Sequence, residues 1–341
     1  MNLERLFRPK TVAVYGGKWS DYVVEQCVKL GFKGKIWRVH PSRKDCFHSS
    51  EELPEAPDAV FFGINRELTV QEFSTLRRRG SGGAVVFASG FSEEKDSAEY
   101  ARKLETASGD LPFIGPNCYG FANFFDRVAL WPDQVTGSQL ERGVAFIAQS
   151  GTISISMMSQ RRSLPLGYVI SLGNQQRLAA EDLIRYCAED ERVSAIGLYL
   201  EGILDLPKFI AAIDYARTLG KPIALIKAGS SEKGRSAANT HTGALTGSDS
   251  LHDALFERLG IARCETLSSL VETLKLLHCF GPLPSKRILV FGASGGDMAM
   301  VSDSASKLDL DFSQIPETEM EVLRASVGER VKLNNPLDIQ T

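Results

Sequence analysis

The sequence predicts an α/β protein in which mainly parallel sheets carry helices on both faces. Two observations lead there. Short β-branched or apolar runs alternate with amphipathic stretches of helical length, which is the rhythm of βαβ units. That rhythm restarts twice along 341 residues, a length that suits two or three domains of about 100–200 residues better than a single core.

In chain order, "TVAVYG" from Thr11 opens the first unit, and residues 21–30 read as its helix. "KIWRVH", "AVFFGI" with a helix over 68–79, "GAVVFASG" with a helix over 93–107, and "PFIG" continue it. Over 121–143 the rhythm lapses among aromatic residues, Pro132 and two glycines, which marks a boundary. The second unit then runs through "GVAFIAQSG" with a helix from about Ile153, "GYVISLGN" with a helix near 180–188, and "SAIGLYLEG" with a helix near 207–218. It closes with "PIALIKAG" and helices near 251–259 and 267–280. After the Pro-containing "CFGPLPSK", "RILVFGASGG" and a helix near 297–307 begin the pattern once more. The expected domains are therefore 1–130, 137–281 and the start of a third over 286–341, which is too short for a complete doubly wound domain.

Composition excludes several function classes. With 43% hydrophobic residues, 24% charged and a net charge of −3, no global basic field exists to hold nucleic acid or an anionic membrane surface. The N-terminal "MNLERLFRPKTVAVYGG" lacks an apolar signal region, and no apolar run approaches the roughly 20 residues a bilayer demands, so a cytoplasmic chain is expected. The six cysteines, at 27, 46, 118, 187, 264 and 279, form no C-x-x-C pair and read as reduced thiols rather than a disulfide or zinc framework. No metal-ligand set is expected.

In open α/β sheets ligands gather beyond the carboxyl ends of strands. The strand ends of the second unit, "AQSGT", "SLGN", "YLEG" and "IKAGSS", can all face one crevice, and His241 follows the last of them by ten residues. His241 stands in "AANTHTGALTGSD", among residues too small and polar to pack it, so its chemistry explains its presence better than its bulk. A surface-loop histidine is the plain alternative. "QSGTIS" has the form of a strand, a tight glycine turn and a helix start, so Ser150, Gly151 and Thr152 can present backbone N–H groups to a phosphate. An ordinary N-cap would look the same. "GASGGDM" repeats that design, with Gly295 and Gly296 letting amides approach an anion closely. Glu201 ends a strongly apolar strand, where a carboxylate must be solvated or paired. Hydrogen-bonded to one ring nitrogen of His241, it would fix the tautomer and free the other nitrogen as a nucleophile. "VAVYGGKW" supplies only Gly16 and Gly17 of a dinucleotide-type turn, so an NAD-dependent enzyme is poorly supported.

Taken together, "AANTHTGALTGSD", "QSG", "SLGN", "LYLEGI", "ASGFSE" and "GPNCYGFAN" resemble the NDP-forming acyl-CoA synthetases, the ADP-forming acetyl-CoA synthetase group, and more distantly the α subunit of succinyl-CoA synthetase. The resemblance runs in order from about residue 7 to 341. It implies a Rossmann-like CoA-binding domain followed by flavodoxin-like domains. It also implies that acid, CoA and ATP or GTP become acyl-CoA, ADP or GDP and phosphate through an acyl phosphate and a phosphohistidine. His241 then matches the histidine that carries the phosphoryl group and Glu201 the carboxylate that supports it. Ser150, Gly151, Thr152, Gly295 and Gly296 match phosphate-binding helix starts. Gly16, Gly17, Pro41, Ser89, Gly90, Asn117 and Cys118 match CoA-binding positions. Implied companions are an ATP-grasp β subunit or fused domain, Mg²⁺ bound there with the nucleotide, a carboxylic acid substrate and an oligomeric assembly. Two departures bear on CoA. The first glycine loop is about five residues shorter than the family's, and the usual Asn-Pro-Lys reads His40, Pro41, Ser42, with Arg43 the nearest cation. A non-catalytic CoA-sensing relative, like the ligase-like half of some protein acetyltransferases, is the alternative.

Overall fold

The computed structural model describes residues 2–92, 94, 96–231, 233–234 and 249–339. His241 lies outside the described residues. The chain separates into two units, Met1–Gly281 and Pro282–Thr341.

The first unit holds two sheets. After a short helix α1 (Glu4–Phe7), strands β1 (Thr11–Gly16), β2 (Lys35–Val39), β3 (Ala59–Gly63), β4 (Gly83–Val86) and β5 (Phe113–Ile114) alternate with helices α2 (Lys18–Leu30), α3 (Arg66–Arg79) and α4 (Ser97–Ser108). Their order is β2-β1-β3-β4-β5, all parallel, so the connections reverse direction between β1 and β3. The side-chain alternation of β1 explains why this run is a strand covered on both faces: Val12 and Val14 enter one buried cluster, Ala13 and Tyr15 the other. Helix α2 stops at Gly31 and α3 at Gly80, both left-handed, and α3 begins at Asn65, whose side chain accepts from Leu68 N at 2.9 Å. Asn65→Ala is expected to cost about 1 kcal/mol through loss of that cap, seen as a thermal midpoint lower by about 2–4 °C.

The segment over 121–143, where the sequence rhythm lapses, contributes strands to the second sheet. β6 (Gly120–Asn123) and β7 (Val128–Leu130) turn through Asp126 and the left-handed Arg127 (φ 58°) and pair antiparallel at its edge. The parallel part comprises β8 (Gly143–Ala148), β9 (Leu166–Ser171), β10 (Val193–Leu200), β11 (Ile223–Lys227) and β12 (Ala262–Arg263). It carries helices α5 (Gly151–Ser159), α6 (Ala180–Glu189), α7 (Leu206–Thr218), α8 (Asp249–Arg258) and α9 (Leu267–Phe280). The full order is β12-β11-β10-β8-β9-β6-β7. Without the β6–β7 extension this is the flavodoxin-like 2-1-3-4-5 order, with its switch point between β8 and β10. Ala145 and Ile147 face one buried cluster and Val144, Phe146 and Ala148 the other, so both faces of β8 are covered by apolar side chains. The first of these clusters is continuous with the first sheet through Phe7, Phe121 and Tyr168, whose rings meet at 4.8 and 6.4 Å.

The second unit has two short parallel strands, β13 (Phe291–Gly292) and β14 (Leu337–Asp338), with helices α10 (Gly295–Ala305) and α11 (Glu317–Val327). The fold class read from the sequence, doubly wound α/β with parallel sheets, is the one observed. No helix among the described residues is long and apolar enough to cross a membrane.

Candidate functional site

The carboxyl ends of β3 and β4 face those of β8, β9 and β10 across one cleft of about 900 Å³. That size is at the upper end of small-molecule clefts. From the first sheet it is lined by Ser89, Asn117 and Cys118, and from the second by Ser150, Gly151, Thr152 and Glu201. Seven of the residues singled out in the sequence therefore share one space. Gly16, Gly17, Pro41 and Gly90 do not line it. Gly16 is left-handed (φ 118°), and a Cβ there would strike the carbonyl of Gly63, itself a cleft residue. Gly90 offers its carbonyl to Arg66 at 2.7 Å instead, and the Pro41 carbonyl lies 3.2 Å from the His48 ring nitrogen Nδ1.

At the switch point of the second sheet, α5 starts directly after β8. Ser150 caps it, its hydroxyl accepting from Ile153 N at 3.4 Å. The amides of Gly151 and Thr152 have no intrahelical acceptor by helix geometry, and the positive end of the helix dipole lies behind them. The Tyr119 ring lies against Gly151 so closely that a Cβ there would run into it. Gly151→Ala is expected to destabilise by about 1–3 kcal/mol as the ring is displaced, with a matching fall in the thermal midpoint. Gly295 and Gly296 begin α10 in the second unit with the same design, Ser294 accepting from Asp297 N at 3.3 Å.

Glu201 follows the last residue of β10, beside Gln149 at the end of β8. The buried Gln149 side chain accepts from the amides of Glu201 and Gly202 and donates to the Gly202 carbonyl at 2.7 Å. On the other side Lys227 donates to the Glu201 carbonyl at 2.8 Å. Burial pushes the Lys227 ammonium below the usual lysine range, opposed by the negative charges of Asp249 and Glu201. Asn117 adopts a left-handed backbone (φ 56°), which asparagine tolerates better than most residues. The neighbouring Cys118 thiol turns away, 3.4 Å from the Val86 carbonyl, and burial pushes its pKa up to about 12. It packs as a protonated thiol and is no nucleophile near neutral pH.

Sequence reasoning missed several cleft residues. Arg66 enters from the start of α3 and is held by Asp96 at 2.8 Å, Glu94 at 3.1 Å and Glu67 at 3.0 Å, so its charge is already matched. Asn174 donates to Ser92 at 2.6 Å and ties the second sheet's loop to the "ASGFSE" loop. Trp19, Phe87 and Tyr119 form an aromatic row, with ring centroids 5.4 and 5.9 Å apart. Arg43, the cation already named from the sequence, does not line the cleft and sits at the shortened glycine loop. Its guanidinium pairs with Asp21 at 2.9 and 3.0 Å and stands 3.8 Å from where a Gly17 Cβ would be. Among the described residues, no group of three or more His, Cys, Asp or Glu side chains is placed to hold a metal ion.

Comparison with known proteins gives this geometry a family. A CoA binding domain profile matches residues 10–123, and a succinyl-CoA ligase like flavodoxin domain profile matches residues 141–277. The chain thus joins a CoA binding domain to a succinyl-CoA ligase like flavodoxin domain. It is 30% identical to a trans-feruloyl-CoA synthase of an unknown prokaryotic organism, over 99% of this chain and 50% of that protein. It is 29% identical to the acetate–CoA ligase [ADP-forming] II subunit alpha of Pyrococcus furiosus, over 99% and 76% of the two chains. The solved dinucleotide forming acetyl-coenzyme A synthetase 1 of Ca. Korarchaeum cryptofilum, in complex with phosphate and ADP, superposes with a TM-score of 0.90 at 26% identity, covering 99% of this chain and 76% of that one. The chain spans about half the length of the first curated relatives it matches.

Proposed function

We propose that this chain is the CoA-ligase part of an NDP-forming acyl-CoA synthetase. One observation carries the reading: the Ser150–Gly151–Thr152 helix start and Glu201 stand together at a sheet switch point, facing Ser89 and Asn117 of the CoA-binding domain across a single cleft. In the direction of acyl-CoA breakdown, a phosphate oxygen attacks the thioester carbonyl, the C–S bond breaks and CoA leaves as the thiol. The acyl phosphate then gives its phosphoryl group to a neutral ring nitrogen of His241: the P–O bond to the acyl oxygen breaks, an N–P bond forms and the carboxylate departs. Glu201 accepts the hydrogen bond from the other ring nitrogen and stabilises the charge that grows there. The amides of Gly151 and Thr152 neutralise the phosphoryl oxygens, which is most of what phosphoryl transfer asks of a protein. Gly295 and Gly296 are assigned the same task within the second unit, and Gly16, Gly17, Pro41, Ser89, Gly90, Asn117 and Cys118 the holding of CoA.

The phosphohistidine then phosphorylates ADP or GDP. That step is assigned to an ATP-grasp subunit or fused domain, which would also hold Mg²⁺ with the nucleotide. The complex of phosphate and ADP in the Korarchaeum relative and the name of the Pyrococcus subunit support this division. The reading is tested by incubating the chain with acetyl [³²P]phosphate. Protein-bound label that is acid-labile and alkali-stable is the expected result, and its absence would overturn the proposal. A CoA-sensing relative without turnover is the second reading, favoured by the one observation that Gly16 and Gly17 stand outside the cleft. It predicts CoA binding by calorimetry with no label.

A further inference from the structure

The proposed step asks a single carboxylate to hold an imidazole in one orientation, yet Glu201 sits just past the last ladder residue of β10, where backbone groups are normally left to water. Here they are not. Gln149, 6% exposed, extends from the end of β8. Its Oε1 accepts from the amides of both Glu201 and Gly202, the latter at 3.0 Å, and its Nε2 donates to the Gly202 carbonyl at 2.7 Å. Lys227, 5% exposed, is the last residue of β11 on the opposite flank of β10. Its Nζ donates to the Glu201 carbonyl at 2.8 Å and to the Ala228 carbonyl at 2.6 Å. All four backbone polar groups of Glu201 and Gly202 are thus taken by buried side chains from the two neighbouring strands. Burying an ammonium for carbonyl partners is costly, and an apolar side chain would fill the same space without that cost.

We propose that Gln149 and Lys227 are positioning residues which clamp the Glu201–Gly202 backbone from both sides, so that the Glu201 carboxylate is presented to the cleft in one fixed orientation for the phosphoryl-carrying step. This rests on the reading of Glu201 and His241 given above. The clamp acts through another group, and its effect lies in alignment: a displacement of about 1 Å at a reacting centre costs on the order of 100-fold in rate. It also explains why the strand ends of β8 and β11 carry polar side chains that are buried and spend their hydrogen bonds on backbone groups.

The test uses the full chain with acetyl [³²P]phosphate as donor and follows the rate of label transfer to His241 in the wild type, Glu201→Gln, Gln149→Glu and Lys227→Met. Gln149→Glu keeps the acceptor oxygen but turns the donor facing the Gly202 carbonyl into a second oxygen. Lys227→Met keeps the length and removes the charge. Both are expected to slow labelling at saturating donor by about 10- to 100-fold, like Glu201→Gln, while half-saturation by donor and the CoA dissociation constant stay within about threefold. Lys227→Ala, slowed likewise, is expected to recover at least about tenfold when propylammonium occupies the vacated space. This reading stands independently should Lys227→Met unfold in a thermal scan. Wild-type labelling rates in Gln149→Glu and in both Lys227 variants, with Glu201→Gln slow, would overturn the clamp and leave the functional reading intact. A wild type that takes no label, or takes it elsewhere than His241, would overturn that reading and the clamp with it.

Discussion

His241→Ala is expected to abolish the covalent phosphoryl label and, if the proposed function holds and the ATP-grasp part is supplied, to reduce acyl-CoA synthesis by about 10⁴-fold or more, as removal of a nucleophile generally does. The size follows from what is left behind. The amides of Gly151 and Thr152 can bind a phosphoryl group but have no lone pair to carry one. The buried Cys118 thiol is held near pKa 12 and is turned to the Val86 carbonyl. Ser150 is engaged as the cap of α5. The variant should, however, still release CoA from acyl-CoA in the presence of phosphate, within about tenfold of the wild type, because that step forms a C–O bond to phosphate and breaks the C–S bond before any imidazole is needed. Free thiol appearing without protein-bound label is the signature to look for, read with a thiol reagent beside a filter assay. Loss of thiol release together with label would show that His241 also serves the first step. Persisting label in the variant would remove the histidine from the mechanism.

The elements of the fold were legible because each carries its own period. Val12 and Val14 against Ala13 and Tyr15, or Ala145 and Ile147 against Val144, Phe146 and Ala148, are two-sided strands that announce themselves as apolar runs bounded by glycine. The strands Gly120–Asn123 and Val128–Leu130 were not legible. They are short and joined by a tight turn at Arg127; the first finds its place by pairing with β9, a partner 45 or more residues distant in sequence that no local pattern encodes, and the second by pairing with the first. In the site, Ser150, Gly151, Thr152 and Glu201 stood out because a glycine turn before a helix and a charge ending an apolar strand are locally costly unless used. Lys227 ends an apolar strand just as Glu201 does, so the same cost argument applied to it would have found half of the clamp. Gln149 offers no such signal, since an uncharged amide before a serine cap looks like any strand end. Arg66 and Asn174 were hidden because their partners, Asp96 and Ser92, come from a distant loop.

Asp190→Ala is expected to destabilise the first unit by about 3–5 kcal/mol, the usual result of stripping the carboxylate from a buried ion-pair network. Its side chain is 3% exposed and receives Arg8 at 2.7 Å, Arg192 at 3.0 Å and the Tyr168 hydroxyl at 2.9 Å. Removing it leaves Arg8 and Arg192 to share Asp126, paired to Arg192 at 2.9 Å and 3.7 Å from Arg8, with the half-exposed Glu4 at 3.2 Å as the other carboxylate on Arg8. Burial raises the Asp190 pKa, but hydrogen bonds from Arg192, Tyr168 and Arg8 outweigh it and hold the carboxyl at about 2. Against an unfolded value near 3.9, the ionised group contributes about 2–3 kcal/mol of stability. Because the folded pKa is the lower one, this contribution is fully present above about pH 4–5 and is lost as pH falls from about 4 through about 2. Acid unfolding of the wild type should therefore steepen over that window, and Asp190→Asn, already destabilised at pH 7, should show a flatter dependence there. Arg8 follows α1, Asp126 lies between β6 and β7, Tyr168 is in β9 and Asp190 closes α6, so the network fastens the chain's N-terminal segment to the second sheet. The cleft is built from both sheets, and CoA binding by Asp190→Ala should fail at the temperature at which the first unit melts. A variant that melts within about 1 kcal/mol of the wild type would show that the arginines find water or Asp126 sufficient.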